Sequence, residues 1–406
     1  MTTDHASAMG ASAGLDHCPF MPTYGAPTVR FVRGEGCQLF DDNGSRYLDF
    51  LAGIAVVGLG HANAEVADAV SLQARTLVHV SNLFATVPGT DVAIVLDRLL
   101  GGGGQVFFTN SGAEANECAI KLARKWGKVE RGHGAYRIVS TLGSFHGRTL
   151  GALAATGQPA KWEGFEPMPD GFAHVAWNDL SALEAVVDDT VAAVLVEAVQ
   201  GEGGVHPATA EYMEGVRRLC DERHVLLMVD EVQTGLGRTG EWFGFQHFGI
   251  EPDVVTMAKA LGNGMPIAAC SARREVASAF RPGDHGTTYG GQPLAASAAR
   301  ATLAILERMH APQMAEHAGS RLRAQLSEVP GVVGVRGLGL LLAAELAPGI
   351  DAKVVAAEAL RAGLIVNAVS PTALRLAPPL IVSQSEITEA VGILRDVLAS
   401  HVGAAA

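Results

Sequence analysis

The chain has 406 residues, more than a single hydrophobic core usually holds, so its length predicts two domains. Hydrophobic residues make up 48% of the sequence, and this composition excludes an intrinsically disordered chain. A net charge of -12 with no basic run argues against nucleic acid as a partner.

The N-terminal region predicts a small antiparallel unit that follows a flexible start at residues 1–18. Short strands are predicted at 29–32, 37–40 and 47–50. Residues 41–44 (Asp-Asp-Asn-Gly) supply the turn between two arms of a hairpin. Apolar residues then recur with helical spacing over residues 63–79, which predicts a helix.

From about residue 90, helical and extended patterns alternate along the chain. Helices are predicted at 91–100, 113–126 and 210–223, and strands at 105–109, 136–140, 191–197, 225–230 and 254–258. Continuous apolar runs such as residues 191–196 are typical of strands buried on both faces, as in a parallel sheet between helices. The predicted fold class is therefore α/β, and ligands are expected at the carboxyl ends of the strands.

After residue 290 the pattern changes to that of a smaller α+β unit. Helices are predicted at 295–310, 314–326 and 386–398, and strands at 331–335, 340–346, 363–366 and 374–376. We therefore predict a large domain over residues 61–290. A small domain would combine residues 19–60 with residues 300–398.

Lys259 stands where the predicted strand 254–258 runs into a glycine-rich turn. Its neighbours Ala258 and Ala260 are small and leave room beside the amine for a flat, bulky group. A lysine in an apolar pocket loses its charge more easily, and a neutral amine is a nucleophile that forms Schiff bases. The alternative is a solvated lysine at a strand end, which is the common situation for lysines.

Asp230 and Glu197 each end a strongly apolar predicted strand. A buried aspartate needs a proton, a metal ion or a cation. No cluster of His, Cys and carboxylate residues at ligand spacing surrounds Asp230, so the sequence predicts no metal site. A protonated ring nitrogen would satisfy Asp230, and Glu197 is expected to have a cationic partner for the same reason.

Two further segments follow predicted strands. Ser111 and Gly112 begin a helix whose free N–H groups and dipole suit a phosphate; the alternative is an ordinary Ser N-cap with Glu114 as its capping-box partner. Phe145 and Arg148 suit stacking on a flat ring and binding of a carboxylate; the alternative is a packed Phe and a solvated Arg. Together with the lysine and the aspartate, these groups describe a site for pyridoxal phosphate (PLP).

Six segments at these positions carry a recognisable family pattern. They are residues 111–117 (Ser-Gly-Ala-Glu-Ala-Asn-Glu), 145–149 (Phe-His-Gly-Arg-Thr), 200–204 (Gln-Gly-Glu-Gly-Gly), 230–240 (Asp-Glu-Val-Gln-Thr-Gly-Leu-Gly-Arg-Thr-Gly), 258–262 (Ala-Lys-Ala-Leu-Gly) and 285–295 (His-Gly-Thr-Thr-Tyr-Gly-Gly-Gln-Pro-Leu-Ala). The chain resembles, over roughly residues 22–398, the class III (ornithine-type) aminotransferases. This resemblance implies the fold type I of PLP enzymes, with a large mostly parallel sheet between helices and a smaller α+β domain.

The resemblance implies a cofactor role for each matching position. Lys259 would bind PLP as a Schiff base and move the proton during the reaction, and Asp230 would keep the ring nitrogen protonated. The remaining contacts would come from Ser111, Gly112 and Ala113 at the phosphate, Gln233 at the ring hydroxyl, Phe145 stacked on the ring, and Thr288 at the phosphate of the neighbouring subunit. A homodimer with shared active sites is therefore expected.

The resemblance also implies how the two substrates bind. Arg148 would bind the α-carboxylate of the amine donor. Glu197 would pair with Arg375 while the donor is bound and would release it to bind a carboxylate of 2-oxoglutarate. Ile54 stands where ornithine aminotransferases have a tyrosine, and an apolar residue here favours an N-acylated donor.

The identity of the amine donor rests on fewer positions. Residues 53–61, 81–84 and 374–380 are similar to the subgroup that transfers the δ-amino group of N-acetylornithine to 2-oxoglutarate. Ornithine, N-succinylornithine, N-succinyldiaminopimelate and 4-aminobutyrate remain alternatives, because a few pocket side chains change such choices by only about 1–3 kcal/mol. A non-catalytic binding protein on the same fold is a remote alternative.

The remaining signals concern the compartment. The 5 cysteines are scattered without a CxxC pair, so neither a disulfide framework nor a zinc site is predicted. Residues 1–14 lack the charged and apolar regions of a signal peptide, and no apolar run is long enough to span a membrane. We expect a cytoplasmic enzyme without a membrane or nucleic-acid partner.

Overall fold

The structure is a computed structural model that describes residues 20–25 and 27–402. The predicted flexibility of residues 1–18 concerns a segment outside the described residues. In the described part of the chain, no helix combines the length and the apolarity needed to cross a membrane.

The N-terminal segment forms an antiparallel sheet from three strands, β1 (Phe31–Glu35), β2 (Gln38–Asp41) and β3 (Arg46–Asp49). The predicted turn after β2 is confirmed. The Asp41 carboxylate stabilises it by accepting hydrogen bonds from the backbone N–H groups of Asn43 at 3.0 Å and Ser45 at 2.8 Å. The helices that follow are α1 (Ala52–Ala55), α2 (Ala64–Thr76) and α3 (Val87–Leu99).

The middle of the chain alternates between strands and helices, as predicted. Its strands are β4 (Gly104–Thr109), β5 (Arg137–Thr141), β6 (Phe172–Val175), β7 (Val191–Glu197), β8 (Val199–Gln200), β9 (His206–Pro207), β10 (Leu226–Asp230), β11 (Val254–Met257) and β12 (Ala268–Arg273). Its helices are α4 (Gly112–Glu130), α5 (Leu150–Ala155), α6 (Leu180–Val186), α7 (Ala210–Arg223) and α8 (Arg274–Ala277).

Seven of these strands form the central sheet, in the order β4-β12-β11-β10-β7-β5-β6. Strand β12 runs antiparallel to both of its neighbours, and the other pairs are parallel. Every residue of β7 is buried, which explains its continuous apolar run. The predicted α/β class with a mostly parallel sheet is confirmed.

Sequence analysis did not predict strand β12, although β12 lies inside the central sheet. Its residues Ala-Ala-Cys-Ser-Ala-Arg include none of the β-branched or large aromatic side chains that mark a strand. Helix α4 packs on this strand. Small side chains suit that position because they let the helix approach the sheet closely.

The strands that carry the predicted site residues end at the same level. Asp230 on β10 lies opposite Glu197 on β7 and opposite Thr256 on β11. Because the carboxyl ends of parallel strands meet at one edge of a sheet, the side chains that follow them lie close together.

The C-terminal part forms a sheet of its own and adds one strand to the N-terminal sheet. Its helices are α9 (Pro293–Arg308), α10 (Ala311–Ser327), α11 (Ala352–Arg361) and α12 (Gln384–Val402), and its strands are β13 (Val332–Leu338), β14 (Leu341–Leu346), β15 (Leu364–Ile365), β16 (Asn367–Ser370) and β17 (Ala373–Leu376). Four strands form a sheet in the order β13-β14-β17-β16. Strand β15 pairs instead with β3, which supports the proposed small domain of residues 19–60 and 300–398 beside a large domain of residues 61–290.

Candidate active site

A cavity of about 410 Å³ lies at the carboxyl ends of β7, β10 and β11. Nine predicted site residues line it together: Ser111, Gly112, Ala113, Phe145, Arg148, Glu197, Asp230, Gln233 and Lys259. The other two predicted site residues, Arg375 and Thr288, are not among the lining residues.

Lys259 begins a 3₁₀ turn (Lys259–Leu261) just after β11. The turn aims its amine at the cavity, and the residue adopts a left-handed backbone conformation with φ +43°. Burial lowers the pKa of the Lys259 amine to about 8, although the nearby Glu202, Asp230 and Glu197 carboxylates oppose this change. The amine therefore loses its proton more readily than a solvated lysine does, as the sequence predicted.

Asp230 is buried and firmly held. Its Oδ1 accepts a hydrogen bond from the backbone N–H of Val232 at 3.0 Å. Its Oδ2 accepts from Asn116 Nδ2 at 2.8 Å and from His146 Nδ1 at 2.8 Å. These bonds orient the carboxylate at the edge of the cavity and lock the side chain in place.

Asn116 and His146 are site residues to which sequence analysis gave no role. Asn116, on α4, also donates to the His146 carbonyl oxygen at 2.7 Å and accepts from Thr256 Oγ1 at 2.8 Å. The His146 side chain is buried, and its Nε2 has no hydrogen-bond partner in the described structure. The sequence contained a signal for Asn116 alone: it is a polar residue within a predicted helix that packs on an apolar sheet, and such a residue must find hydrogen-bond partners.

The N-terminus of α4 forms one wall of the cavity. Ser111 Oγ accepts a hydrogen bond from the Glu114 N–H at 3.2 Å, so Ser111 is indeed an N-cap. The Glu114 carboxylate, however, binds the Asn110 N–H at 2.7 Å rather than that of Ser111. The N–H groups of Gly112 and Ala113 have no acceptor in the described structure, which leaves them available to an anion.

Gly112 fits this position because space is short. A Cβ added there would lie 2.7 Å from Val232 Cγ1, closer than real side chains approach. Val232 lies two residues after Asp230, so glycine lets the helix N-terminus approach the turn that follows the aspartate.

Glu197 is almost completely buried, with 7% of its surface exposed. Its Oε2 accepts a hydrogen bond from the Phe145 backbone N–H at 3.2 Å. Burial, and next the charge of Asp230, raise the pKa of Glu197 well above its ordinary value of 4.5. Glu197 therefore favours its protonated form more than a solvated glutamate does.

The predicted ion pair between Glu197 and Arg375 is not formed among the described residues. Arg375, on β17 and only 1% exposed, pairs with Glu202 instead. It also donates to Asn367 Oδ1 at 3.1 Å and to the Gly201 carbonyl at 3.3 Å. The glycine-rich turn at residues 201–204 presents Glu202 to Arg375, whereas Glu197 ends β7 beside Phe145.

Glu202 is a third residue to which sequence analysis gave no role. Burial raises the pKa of its carboxyl group, but the charge and hydrogen bond of Arg375 outweigh that effect and lower it. Gln233 joins this group because its Nε2 donates to Glu202 Oε1 at 3.4 Å. An acid that lines the cavity therefore neutralises the buried Arg375.

Two predicted site residues, Arg148 and Thr288, are exposed. Arg148 is exposed, and its guanidinium carbon lies 5.6 Å from the centre of the Phe145 ring. Thr288 is exposed and lines a different cavity, of about 280 Å³, together with Asn82 and Phe84. In the described part of the chain, no three His, Cys, Asp or Glu side chains are grouped as a metal site would require.

The sequence profile of the aminotransferase class-III family matches residues 21–398. An acetylornithine aminotransferase from Caldanaerobacter subterraneus subsp. tengcongensis is 46% identical, over 93% of this chain and 96% of its own. One from Gloeobacter violaceus is 49% identical, over 93% and 95%. Among solved structures, an ornithine aminotransferase from Toxoplasma gondii, described with partial occupancy of PLP at its active site, superposes with a TM-score of 0.88. It is 32% identical and covers 94% of this chain and 92% of its own.

The match to the family profile covers most of the chain, and the relatives are similar along almost their whole length. The residues gathered around the cavity also fall in the segments that carry the family pattern. The chain therefore belongs to the class-III aminotransferase family.

Proposed function

We propose that this chain is a PLP-dependent aminotransferase that transfers the δ-amino group of N-acetylornithine to 2-oxoglutarate, giving N-acetylglutamate 5-semialdehyde and glutamate. The observation that carries the chemistry is the placement of Lys259 and Asp230 in one cavity with a helix N-terminus. The names and identities of the relatives support the choice of N-acetylornithine as the donor.

The residues of the cavity fit PLP. The N–H groups of Gly112 and Ala113 suit its phosphate, and the firmly held Asp230 carboxylate suits a protonated ring nitrogen. Phe145 offers a ring face for stacking, and Gln233 offers an amide to a hydroxyl group. When bound, PLP supplies an electron-accepting ring that makes the C–H beside the substrate nitrogen acidic.

Lys259 would hold the cofactor and, once the substrate amine takes its place, act as a general base. Burial keeps the pKa of its amine near 8, so the amine can both take and return a proton near neutral pH. Asp230 would stabilise positive charge on the ring nitrogen, and Asn116 and His146 would keep it in position.

Two arginines would bind the substrate carboxylates. Arg148 is exposed beside Phe145 and would bind the α-carboxylate of the amine donor. Arg375 would bind a carboxylate of 2-oxoglutarate after release from Glu202, the partner that it has here. Glu197 accepts a hydrogen bond from the Phe145 N–H. It would therefore position the segment that carries the Phe145 ring, and Glu202 would be the partner of Arg375.

The donor preference draws less support from Ile54 than the sequence suggested. Ile54 is 37% exposed and is not among the residues that line the cavity, whereas Val56 is. The segment that carries them, residues 52–56, brings an apolar side chain to the site in either case. The similarity to acetylornithine aminotransferases is therefore the stronger support for an N-acylated donor.

We also propose a homodimer in which Thr288 serves the active site of the second copy. Thr288 lines a cavity distinct from the one that holds Lys259. Exposed apolar side chains surround this region, including Leu83 at 85%, Phe84 at 69% and Tyr289 at 63% exposure. Such a patch is typical of a surface that another protein chain covers.

The experiment that tests the function is steady-state transamination to 2-oxoglutarate with N-acetylornithine, ornithine and 4-aminobutyrate as donors. We expect the highest kcat/KM for N-acetylornithine. Faster use of 4-aminobutyrate would keep the chemistry and contradict the donor, and no transamination with any amine would contradict the function.

Arg148→Gln sharpens this test. Loss of a charged hydrogen bond to the donor carboxylate should raise the KM for N-acetylornithine by about tenfold or more. Arg218→Gln, which changes an exposed arginine on α7 remote from the cavity, should leave it unchanged. Equal KM values for the two variants would contradict the role of Arg148.

A further inference from the structure

Two buried cysteines line a cavity distinct from the one that holds Lys259. Cys118 on α4 and Cys270 on β12 are 1% and 2% exposed. Both line a cavity of about 310 Å³ whose other walls include Phe107 and Phe280. This volume holds several small molecules, since a water molecule occupies about 30 Å³ of liquid. A reagent the size of hydrogen peroxide therefore fits in the cavity that both cysteines line.

The two thiols belong to one buried cluster. Cys118 and Cys270 both lie in the apolar core between α4 and the central sheet, and α4 packs directly on β12. Their interaction with each other lowers the pKa of Cys118 and raises the pKa of Cys270. A disulfide needs two cysteines on elements in direct contact, and α4 and β12 meet this condition.

Positive charge completes the surroundings of Cys118. Lys121 Nζ donates to His285 Nδ1 at 2.8 Å, so a neutral His285 carries its hydrogen on the other ring nitrogen. The Lys121 charge also lowers the pKa of Cys118. A thiolate beside a cation and hydrogen-bond donors is the reactive form of cysteine.

The other described cysteines lack this environment. Burial raises the pKa of both Cys37 and Cys220, and Cys220 is completely buried. Neither of them lines the cavity of Cys118 and Cys270. Oxidation should therefore select Cys118 among the cysteines at residues 27–402.

We propose that Cys118 and Cys270 form an oxidation site that a hydroperoxide converts into an intramolecular disulfide. The Cys118 thiolate attacks one peroxide oxygen, the O–O bond breaks, and the sulfur becomes a sulfenic acid while hydroxide leaves and takes up a proton as water. The Cys270 sulfur then attacks the Cys118 sulfur, so that the S–S bond forms and the S–O bond breaks. Hydroxide leaves and takes the Cys270 proton, so two thiols and one hydrogen peroxide give one disulfide and two waters.

The position of the pair connects it to Asp230. Cys118 lies two residues after Asn116 on α4, and Cys270 is the direct partner of Thr256 between β12 and β11. Thr256 binds Asn116, and Asn116 binds Asp230. A disulfide draws the helix and the strand together at this point, which moves Asn116 relative to Asp230.

The test is oxidation of the complete protein with hydrogen peroxide, followed by alkylation and peptide mass spectrometry without reduction. We expect a crosslink between the peptides of Cys118 and Cys270 that dithiothreitol reverses. Cys270→Ser should stop at oxygen-bearing forms of Cys118, and the control Cys220→Ser should form the crosslink as wild type does.

The activity of the same samples is the second readout. Peroxide should lower the transamination rate of wild type reversibly, and Cys118→Ser should resist. Oxidised wild type without the crosslink would overturn the proposal. So would oxidation of Cys37 or Cys220 at the same rate, or equal inactivation of Cys118→Ser.

Discussion

Asp230 and Glu197 end neighbouring parallel strands and lie directly opposite each other, yet their surroundings differ. Asp230 accepts hydrogen bonds from Val232, Asn116 and His146, whereas one from Phe145 is recorded for Glu197. Burial, and next the charge of Asp230, raise the pKa of Glu197 well above its ordinary value. Two carboxylates at equal depth thus acquire different properties from their neighbours, as acid and base pairs of enzymes commonly do.

The difference assigns the two residues different roles. Asp230 is held in one orientation and suits a permanent charge partner for a ring nitrogen. Glu197 accepts a backbone hydrogen bond from Phe145 and favours its neutral form. The amine of Lys259 interacts with both carboxylates, so changes at the three positions test the comparison.

The largest expected effect follows Lys259→Ala, which removes the amine that both carboxylates face. We expect kcat to fall by more than about 10⁴-fold, the upper end of what a general base contributes, because covalent attachment is lost as well. Steady-state kinetics with N-acetylornithine measure it. Lys128→Ala, an exposed position on α4, is the matched control, and similar rates for both variants would contradict the role of Lys259.

Asp230→Asn should have the next largest effect on kcat. Glu197→Gln makes the same change from carboxylate to amide on the neighbouring strand, so the kcat values of the two variants can be compared directly. Loss of the charge that faces the ring nitrogen should lower kcat by about 10²–10³-fold, the typical loss when one electrostatic contact to a transition state is removed. Glu197→Gln should change kcat by less than about tenfold, since Glu197 favours its neutral form. Equal losses in the two variants would remove the distinction between the carboxylates.

Asn116→Ala tests whether the hydrogen bonds to Asp230 are what hold its carboxylate in one orientation, in contrast to Glu197. The substitution removes one of the hydrogen bonds to Asp230 and leaves the Thr256 hydroxyl without its acceptor, which should lower the free energy of unfolding by about 1–3 kcal/mol. It should also weaken PLP binding, measured by titrating the cofactor-free protein. Unchanged PLP affinity in a stable Asn116→Ala protein would show that Asp230 needs no such support.

The smallest expected effect concerns stability and pH at Glu197. Because the folded-state pKa of Glu197 is raised, its favourable contribution is complete below its ordinary value of 4.5 and is lost as pH rises through the raised pKa. Glu197→Gln does not titrate, so it should gain stability relative to wild type between about pH 5 and about pH 8. Urea unfolding at both pH values measures the gain, and a pH-independent difference would contradict the raised pKa.

Strand ends were predictable from the sequence for a physical reason. A long apolar run that stops at a single charged residue, as at Glu197 and Asp230, marks both the strand and the residue that must find a partner. Lys259 after β11 follows the same logic. The parallel sheet then places these positions at one edge, so the site could be assembled before the structure was known.

The partners of these residues were not predictable in the same way. Asn116 and Asp230 are 114 positions apart, and Arg375 and Glu202 are 173 apart, so only the tertiary packing of α4 and β17 decides which of these residues meet. In the structure Arg375 pairs with Glu202 and not with Glu197, and the sequence could not distinguish them because both glutamates lie near the end of β7. Strand β12 was not predicted for a different reason: its small residues lack the β-branched and aromatic side chains typical of a strand.

The most direct test of the account is the chemical identity of the lysine that holds the cofactor. The protein is mixed with PLP, reduced with borohydride to make the attachment permanent, digested, and its peptides are analysed by mass spectrometry. The account predicts the pyridoxyl group on Lys259 and a label that N-acetylornithine, added before reduction, removes. A pyridoxyl group on another lysine, or a label on Lys259 that the amine donor leaves in place, would contradict it.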